Sequence, residues 1–217
     1  MKNEYKILAQ RILKILLGFF IIGLGNALSL KANFGMSAWS TLDHGLSLTF
    51  NMTFGTAVSL TALVILLIDM ALGMIPGIGT ILNMLSIGVF SDICSWLLSA
   101  ISFDSLALRI VFLVFGLVFH GIGCAYYISI KLGSGPRDSL SLLLSQRFKL
   151  DFVKLRIALE ISAIFVGYIL GATVGIGTVL AGFLSGPIVG KALKYFSYNP
   201  AVDKQENIFQ TLKSLSK

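Results

Sequence analysis

Gly77-Ile-Gly-Thr-Ile-Leu82 returns 98 positions later as Gly175-Ile-Gly-Thr-Val-Leu180. The same offset lays Arg11 on Arg109, Gly18 on Gly116, Gly23 on Gly121, Gly25 on Gly123 and Ala27 on Ala125. Farther along it lays Gly35 on Gly133, Leu42 on Leu140, Phe50 on Phe148, Gly73 on Gly171 and Gly88 on Gly186, without a gap. Glycine coincidences are common in apolar sequence, but one register held from residue 11 to residue 186 marks a tandem duplication.

The duplicated material belongs in a membrane. Mean hydropathy is +0.88, and 56 % of the 217 residues are apolar against 12 % charged. A soluble domain of this size needs a larger polar skin. The apolar residues form runs near 20 long, the length that crosses a bilayer as helix, over 12–30, 54–74, 77–99, 109–130, 152–173 and 175–195. Backbone groups in lipid must be satisfied within the segment and no strand-like alternation occurs, so an all-α polytopic membrane protein of six transmembrane helices is expected.

All of the 17 Lys and Arg except Lys31 and Arg109 fall on one side if the N-terminus is cytoplasmic, including Lys131, Arg137, Arg147, Lys149, Lys154 and Arg156 between helices four and five. The positive-inside rule then places both termini in the cytoplasm. The net charge of +7 reads as this topogenic signal together with attraction to anionic headgroups of the lipid bilayer. It does not read as a nucleic-acid surface, since the basic residues do not interleave with aromatics in any soluble domain. Residues 1–28 resemble a signal peptide, but 12–30 match 110–128, and removal would destroy the symmetry; an uncleaved first helix is expected.

Three crossings per copy deliver the chain to the opposite face, so the second copy enters upside down. The expected organisation is a cytoplasmic segment 1–10, a first repeat over 11–99, an inverted second repeat over 109–195 and a cytoplasmic tail 196–217. Such a 3+3 inverted repeat is the architecture of many secondary transporters.

A linker of intermediate polarity joins the first two helices of each copy, 33–50 and 131–148. Pro136 suits a first helical turn, Ser134 or Gly135 can cap it, and Ser37 can cap its counterpart. Each linker should form a short amphipathic helix that either lies in the interface, shallowly inserted, or re-enters the bilayer; the return segment of only a few residues before helix two favours the first. Asp43 and His44, beside Trp39, read as an interfacial anchor.

These glycines and linkers resemble the YczE/YyaS/YitT-like family of bacterial integral membrane proteins. The likeness rests on the Gly-rich first helix, the Phe34-Gly35 and Leu132-Gly133 linker starts, and the Gly-x-Gly-Thr entry to each third helix, over roughly residues 11–195. It departs at Ala38, where the second copy has Pro136. The resemblance implies a multi-pass inner-membrane protein and transport, with no catalytic residues to carry over.

Ionisable groups within a span cost about 2.5–3.5 kcal/mol on insertion scales and so lead the functional search. Glu160 and His120 are the coupling candidates; Arg156, four residues before Glu160, offers it a structural partner instead, and His120 can equally be a packing residue. Asp69 and Asp92 rank lower, close to the interfaces. Asn26, Tyr126, Ser37 and Ser134 can hydrogen-bond a ligand or join helices. Thr80 and Thr178 either cap tight glycine turns or present a polar helix start to a solute.

No phosphate loop, metalloprotease motif or nucleophile elbow is present, so no catalytic residue, no cofactor and no enzyme activity are expected. Cys94 and Cys124 read as packing residues; with two histidines, a metal cage would need carboxylates from scattered helices. The reading is a permease for a small-molecule solute bound between the repeats. Its alternative is a non-transporting subunit, either a solute-binding component borrowing an external ATPase or a scaffold; a homodimer fits either.

Overall fold

The computed structural model describes residues 2–101, 105–200 and 202–215; Lys217, counted with the C-terminal basic residues, lies outside them. Among the described residues the chain is all helical. In order come α1 (Lys2–Ala32), α2 (Ala38–Thr49), α3 (Phe54–Ala71), α4 (Ile78–Leu97) with a 3-10 turn (Leu98–Ala100), and α5 (Leu106–Ser129). Then follow α6 (Pro136–Phe148), α7 (Phe152–Ile169), α8 (Ile176–Tyr195) and α9 (Ile208–Leu215).

Five helices have the length and apolar character to cross a bilayer: α1, α3, α4 with its 3-10 turn, α5 and α8. The sixth expected span, 152–173, is represented by α7, which is not among the five. Its 18 residues carry Lys154, Arg156 and Glu160, and that charge density offsets the apolar stripe of Val153, Ile157, Ile161, Phe165 and Ile169 on its exposed side. Exposed apolar side chains also coat the other long helices, Leu67, Trp96, Val114 and Phe183 among them. In water that coat would be prohibitive; against lipid it is the stable surface.

The 98-residue offset persists in the backbone. Left-handed residues recur at that spacing: Asn33 and Lys131, Gly35 and Gly133, Asn51 and Lys149, Gly73 and Gly171. Contacts between the copies are exchanged reciprocally. Gly79 N donates to Leu132 O at 2.7 Å, and Gly177 N to Phe34 O at 2.8 Å. Arg11 Nη2 donates to Ile130 O at 2.9 Å, and Arg109 Nε to Ala32 O at 2.8 Å. Each third helix thus has an amide near its start satisfied by the other copy's linker, which answers part of the demand at a helix N-terminus.

Gly35 and Gly133 show why these linkers begin with glycine. Both have positive φ, +94° and +124°, and a Cβ would come within 2.3 Å of Thr178 Oγ1 and 2.6 Å of Thr80 Oγ1 respectively.

At the centre α1 crosses α5, with α4 packed on α1 and α8 on α5. Ile15, Phe19, Ile22 and Tyr127 are buried there, with the Phe19 and Tyr127 rings 5.2 Å apart. Around this centre the linker helices are exchanged: α2 packs along α7, and α6 along α3.

The linker helices correct an expectation. Part of the face they bury against the protein is polar. The buried side chains of α2 are Ser40, Thr41, Asp43 and Ser47, whereas Leu48 and Phe50 are exposed. Likewise α6 buries Ser139 and Ser141 and exposes Leu142. On α2 polar residues thus face inward, whereas α6 also buries Pro136 and Leu140 and exposes Gln146 and Arg147.

Candidate functional site

The polar faces of α2 and α6 meet. Arg137 Nη2, on the first turn of α6, lies 2.8 Å from Asp43 Oδ2 and 3.0 Å from Oδ1. Thr61 Oγ1 of α3 donates to Asp43 Oδ1 at 2.6 Å and accepts from Arg137 Nη2 at 3.0 Å. The guanidinium also lies over the Trp39 ring, 5.5 Å from its centroid. Trp39 is the residue 98 positions before Arg137, so equivalent positions of the two copies touch. Asp43 has no exposed surface. This pair replaces two expectations: Asp43 is not an interfacial anchor, and Arg137 is not a solvated loop charge.

Beside the pair lies a second polar group. Asn26 Nδ2 donates to Ser91 Oγ at 3.2 Å, and Ser91 Oγ donates to Ile87 O at 2.8 Å. His120 Nδ1 is 3.0 Å from Asn26 Oδ1; that oxygen can only accept, so Nδ1 carries the proton. Asn26, Ser37 and His120 line one small cavity with Ser29, Ser40, Met36, Leu117 and Ser185. Its volume is about 10 Å³, the room of one water molecule.

Three of the expected site residues therefore converge: Asn26, Ser37 and His120. The others lie elsewhere. Thr80 Oγ1 donates to Ser134 O at 2.7 Å and accepts from Gly77 N at 3.3 Å, while Ser134 Oγ sits 2.8 Å from Ser139 Oγ. Thr178 Oγ1 faces Gly175 N at 3.5 Å. Both threonines cap helix starts, and their hydroxyls are committed to backbone. Tyr126 packs its ring on Phe196, 5.1 Å between centroids. Glu160 accepts from Arg156 Nε at 3.1 Å in an ion pair with half-exposed partners; Arg156 also lies 3.6 Å from Asp138. Glu160 does not line the cavity that holds His120.

Sequence reasoning missed the Asp43–Arg137 pair. The signal was a polar stripe at helical spacing, Ser40, Asp43 and Ser47, repeated 98 residues on as Asp138, Ser141 and Ser145. On α2 that stripe is the face turned toward the protein; on α6 only Ser141 of it is buried.

One end of the molecule carries an additional strap. Residues 203–208 lie across the α6 linker and the α3–α4 turn: Glu206 N donates to Lys131 O at 3.0 Å and Ile208 N to Pro76 O at 3.0 Å. Gln205 Oε1 accepts from Gly133 N at 3.1 Å, and Arg11 Nη2 meets Glu206 Oε1 at 2.8 Å. Lys131 Nζ is 2.5 Å from Asp203 Oδ1. This hydrogen bond, with a backbone amide from Asn199, holds the Asp203 carboxyl below its ordinary range.

Comparison with known proteins agrees with this membrane architecture. Residues 9–194 match the model of DUF6198, a family of unknown function, and the chain belongs to that family. It is 33 % identical over 175 residues to an "Uncharacterized protein" of Haemophilus influenzae, covering 81 % of this chain and 79 % of that protein. It is 31 % identical to the "Uncharacterized membrane protein YczE" of Bacillus subtilis, covering 79 % and 80 % of the two chains. The "Uncharacterized protein YyaS" of the same organism is 27 % identical, with coverage of 80 % and 87 %. The kinship expected from the glycine and linker motifs holds. No solved structure matches.

Proposed function

We propose that this DUF6198 member is a small-solute permease of the bacterial inner membrane, its two three-span halves inserted in opposite directions with both termini cytoplasmic. The halves are 11–99 and 109–195, and α7 is the sixth crossing. Support for α7 comes from its place 98 residues after α3 and from the pairing of its Arg156 with Glu160, which lowers the cost of both charges in a span. The reciprocal linker contacts support a two-fold relation between the halves, since contacts exchanged i to j and j to i belong to such an axis. With three crossings per half, that axis lies in the membrane plane.

One observation carries the reading: Arg137 of one linker helix, partly exposed, pairs with the fully buried Asp43 of the other. A charged pair in so apolar a chain is often no more stabilising than packed hydrocarbon, so its presence supports a solute path. Asn26, Ser37 and His120 are the proposed solute contacts, and the arrangement is a closed state whose halves must part. A small polar solute suits this lining, which mixes amide, hydroxyl and imidazole groups.

The tightness of the cavity also supports the second reading, a non-transporting subunit. Stopped-flow light scattering of proteoliposomes, challenged in turn with glycerol, neutral amino acids and potassium salts, separates the two. Faster entry of any one solute than into protein-free vesicles, lost in Arg137→Ala, supports the permease; no entry without an added ATPase favours the subunit. Cysteine labelling tests the insertion: residues 33–53 and 131–151 reactive from the same face would end the inverted arrangement.

A further inference from the structure

We propose that Asp69 is a proton-binding site inside the membrane-spanning part of the molecule, separate from the cavity at His120. Asp69 lies two residues before the end of α3 and has no exposed surface. Neither of its carboxylate oxygens has a hydrogen-bond partner. Its equivalent in the other half is Gly167, where α2 approaches so closely that a Cβ would lie 2.5 Å from Thr41 O. By the same correspondence Asp69 faces the Ser139–Leu140 region of α6, which packs on α3. A carboxyl therefore stands in the seam that its equivalent closes with glycine.

Ionised, this group would be a buried anion with no donor. None of the titratable groups on the elements packed against α3 is hydrogen-bonded to Asp69. On α2, Asp43 is held by Arg137 and Thr61, eight residues or about 12 Å along α3 from Asp69; His44 follows Asp43 and makes no bond to Asp69. On α4, Asp92 accepts from Thr53 Oγ1 and Gly55 N at the opposite end of α3, and Cys94 lies beyond it. On α6, Asp138 pairs with Arg156, and Arg147 is exposed.

With no cation to balance it, the carboxylate is stabilised by taking up a proton on one oxygen, which removes the charge. A metal ion would require several oxygen ligands, and no group of three potential ligand side chains surrounds Asp69 among the described residues. The proton is drawn from water when α3 and α6 separate and returned by the same route. Coupling of this proton to solute movement rests on the permease reading; its binding does not.

Infrared spectroscopy of the full chain in phosphatidylethanolamine–phosphatidylglycerol vesicles, with no solute added, tests the site. At neutral pH one protonated-carboxyl C=O band is expected, shifted down by deuterium exchange and by ¹³C labelling of aspartate carboxyls. Asp69→Asn should lose the area of one carboxyl, and Glu160→Gln should keep it. Asp69→Glu should retain the band but make it insensitive to the aspartate label, which serves if the Asn variant does not fold. Absence of a band at neutral pH, a band indifferent to the aspartate label in the wild type, or one that survives Asp69→Asn would overturn the proposal. Failure of transport with the band intact would instead remove only the permease.

Discussion

In one half α2 lies against α7 through Gly45 and Gly167; in the other, α6 lies against α3 with Leu143 and Asp69 at the equivalent positions. The first seam is backbone on backbone, since a Cβ on Gly45 would fall 2.6 Å from Gly167 O. The second carries a leucine and a carboxyl in place of the two glycines. The two ends differ in the same sense. Arg11 is fixed by Glu206 as well as by a linker carbonyl, whereas its equivalent Arg109 holds linker carbonyls and stacks on Phe34 at 4.4 Å. A duplicated scaffold supplies equal positions, and different residues at those positions give the two seams different chemistry.

The largest effect should come from the asymmetric pair at the centre. Arg137→Ala leaves Asp43 buried without its cation and should cost about 3–5 kcal/mol, read as thermal unfolding in detergent. Adding Asp43→Ser, the residue its equivalent Ser141 already provides, should recover most of that loss. No recovery in the double variant would mean that orphaned charge is not the cause.

Next comes the tight seam itself. Gly167→Ala forces a methyl against Thr41 O and should destabilise by about 1–3 kcal/mol, while Gly182→Ala, with nothing within 4 Å of the added carbon, should change little. Equal melting of both variants would remove the contrast between the seams.

The helix starts offer a smaller comparison. Thr80→Val loses a donor to Ser134 O, whereas Thr178→Val loses only a long cap contact of 3.5 Å. The first should cost about 1 kcal/mol more than the second, a difference accessible to denaturant titration.

The smallest effect concerns the strap. Because Lys131 and the Asn199 amide depress the folded Asp203 carboxyl, its contribution is present above the unfolded carboxylate range. It is lost as pH falls through the lowered folded value. The protection factor against hydrogen exchange at 203–208, taken relative to the intrinsic rate at each pH, should fall on acidification in the wild type, and Asp203→Asn should flatten that dependence.

Legibility followed the kind of signal each region carries. Runs of apolar residues near 20 long announced α1, α3, α4, α5 and α8 directly, because bilayer thickness fixes helix length. The same rule strained at α7, where Lys154, Arg156 and Glu160 interrupt the run; Glu160 has its partner four residues back, and only the reach of Arg156 to Asp138 of α6 needed three dimensions. The linker helices were placed correctly along the chain, but the burial of Ser40, Thr41, Asp43 and Ser47 on α2 was not foreseen. Their composition suits an interface equally well from either side, and only the neighbours decide which face is wet. Of the candidate residues, Asn26, Ser37 and His120 converged because two tightly crossing helices and a linker bring them together; Glu160 stayed with its i+4 partner.

The chain's residues alone determined the duplication, the membrane environment and the positions of most helices, since period, length and hydrophobicity act locally and need no partner. Only the tertiary structure decided which polar groups face one another. Asp43 meets Arg137 across 94 residues of chain, and Asp69 meets no donor, because packing between helices, not sequence spacing, sets what stands beside a buried charge.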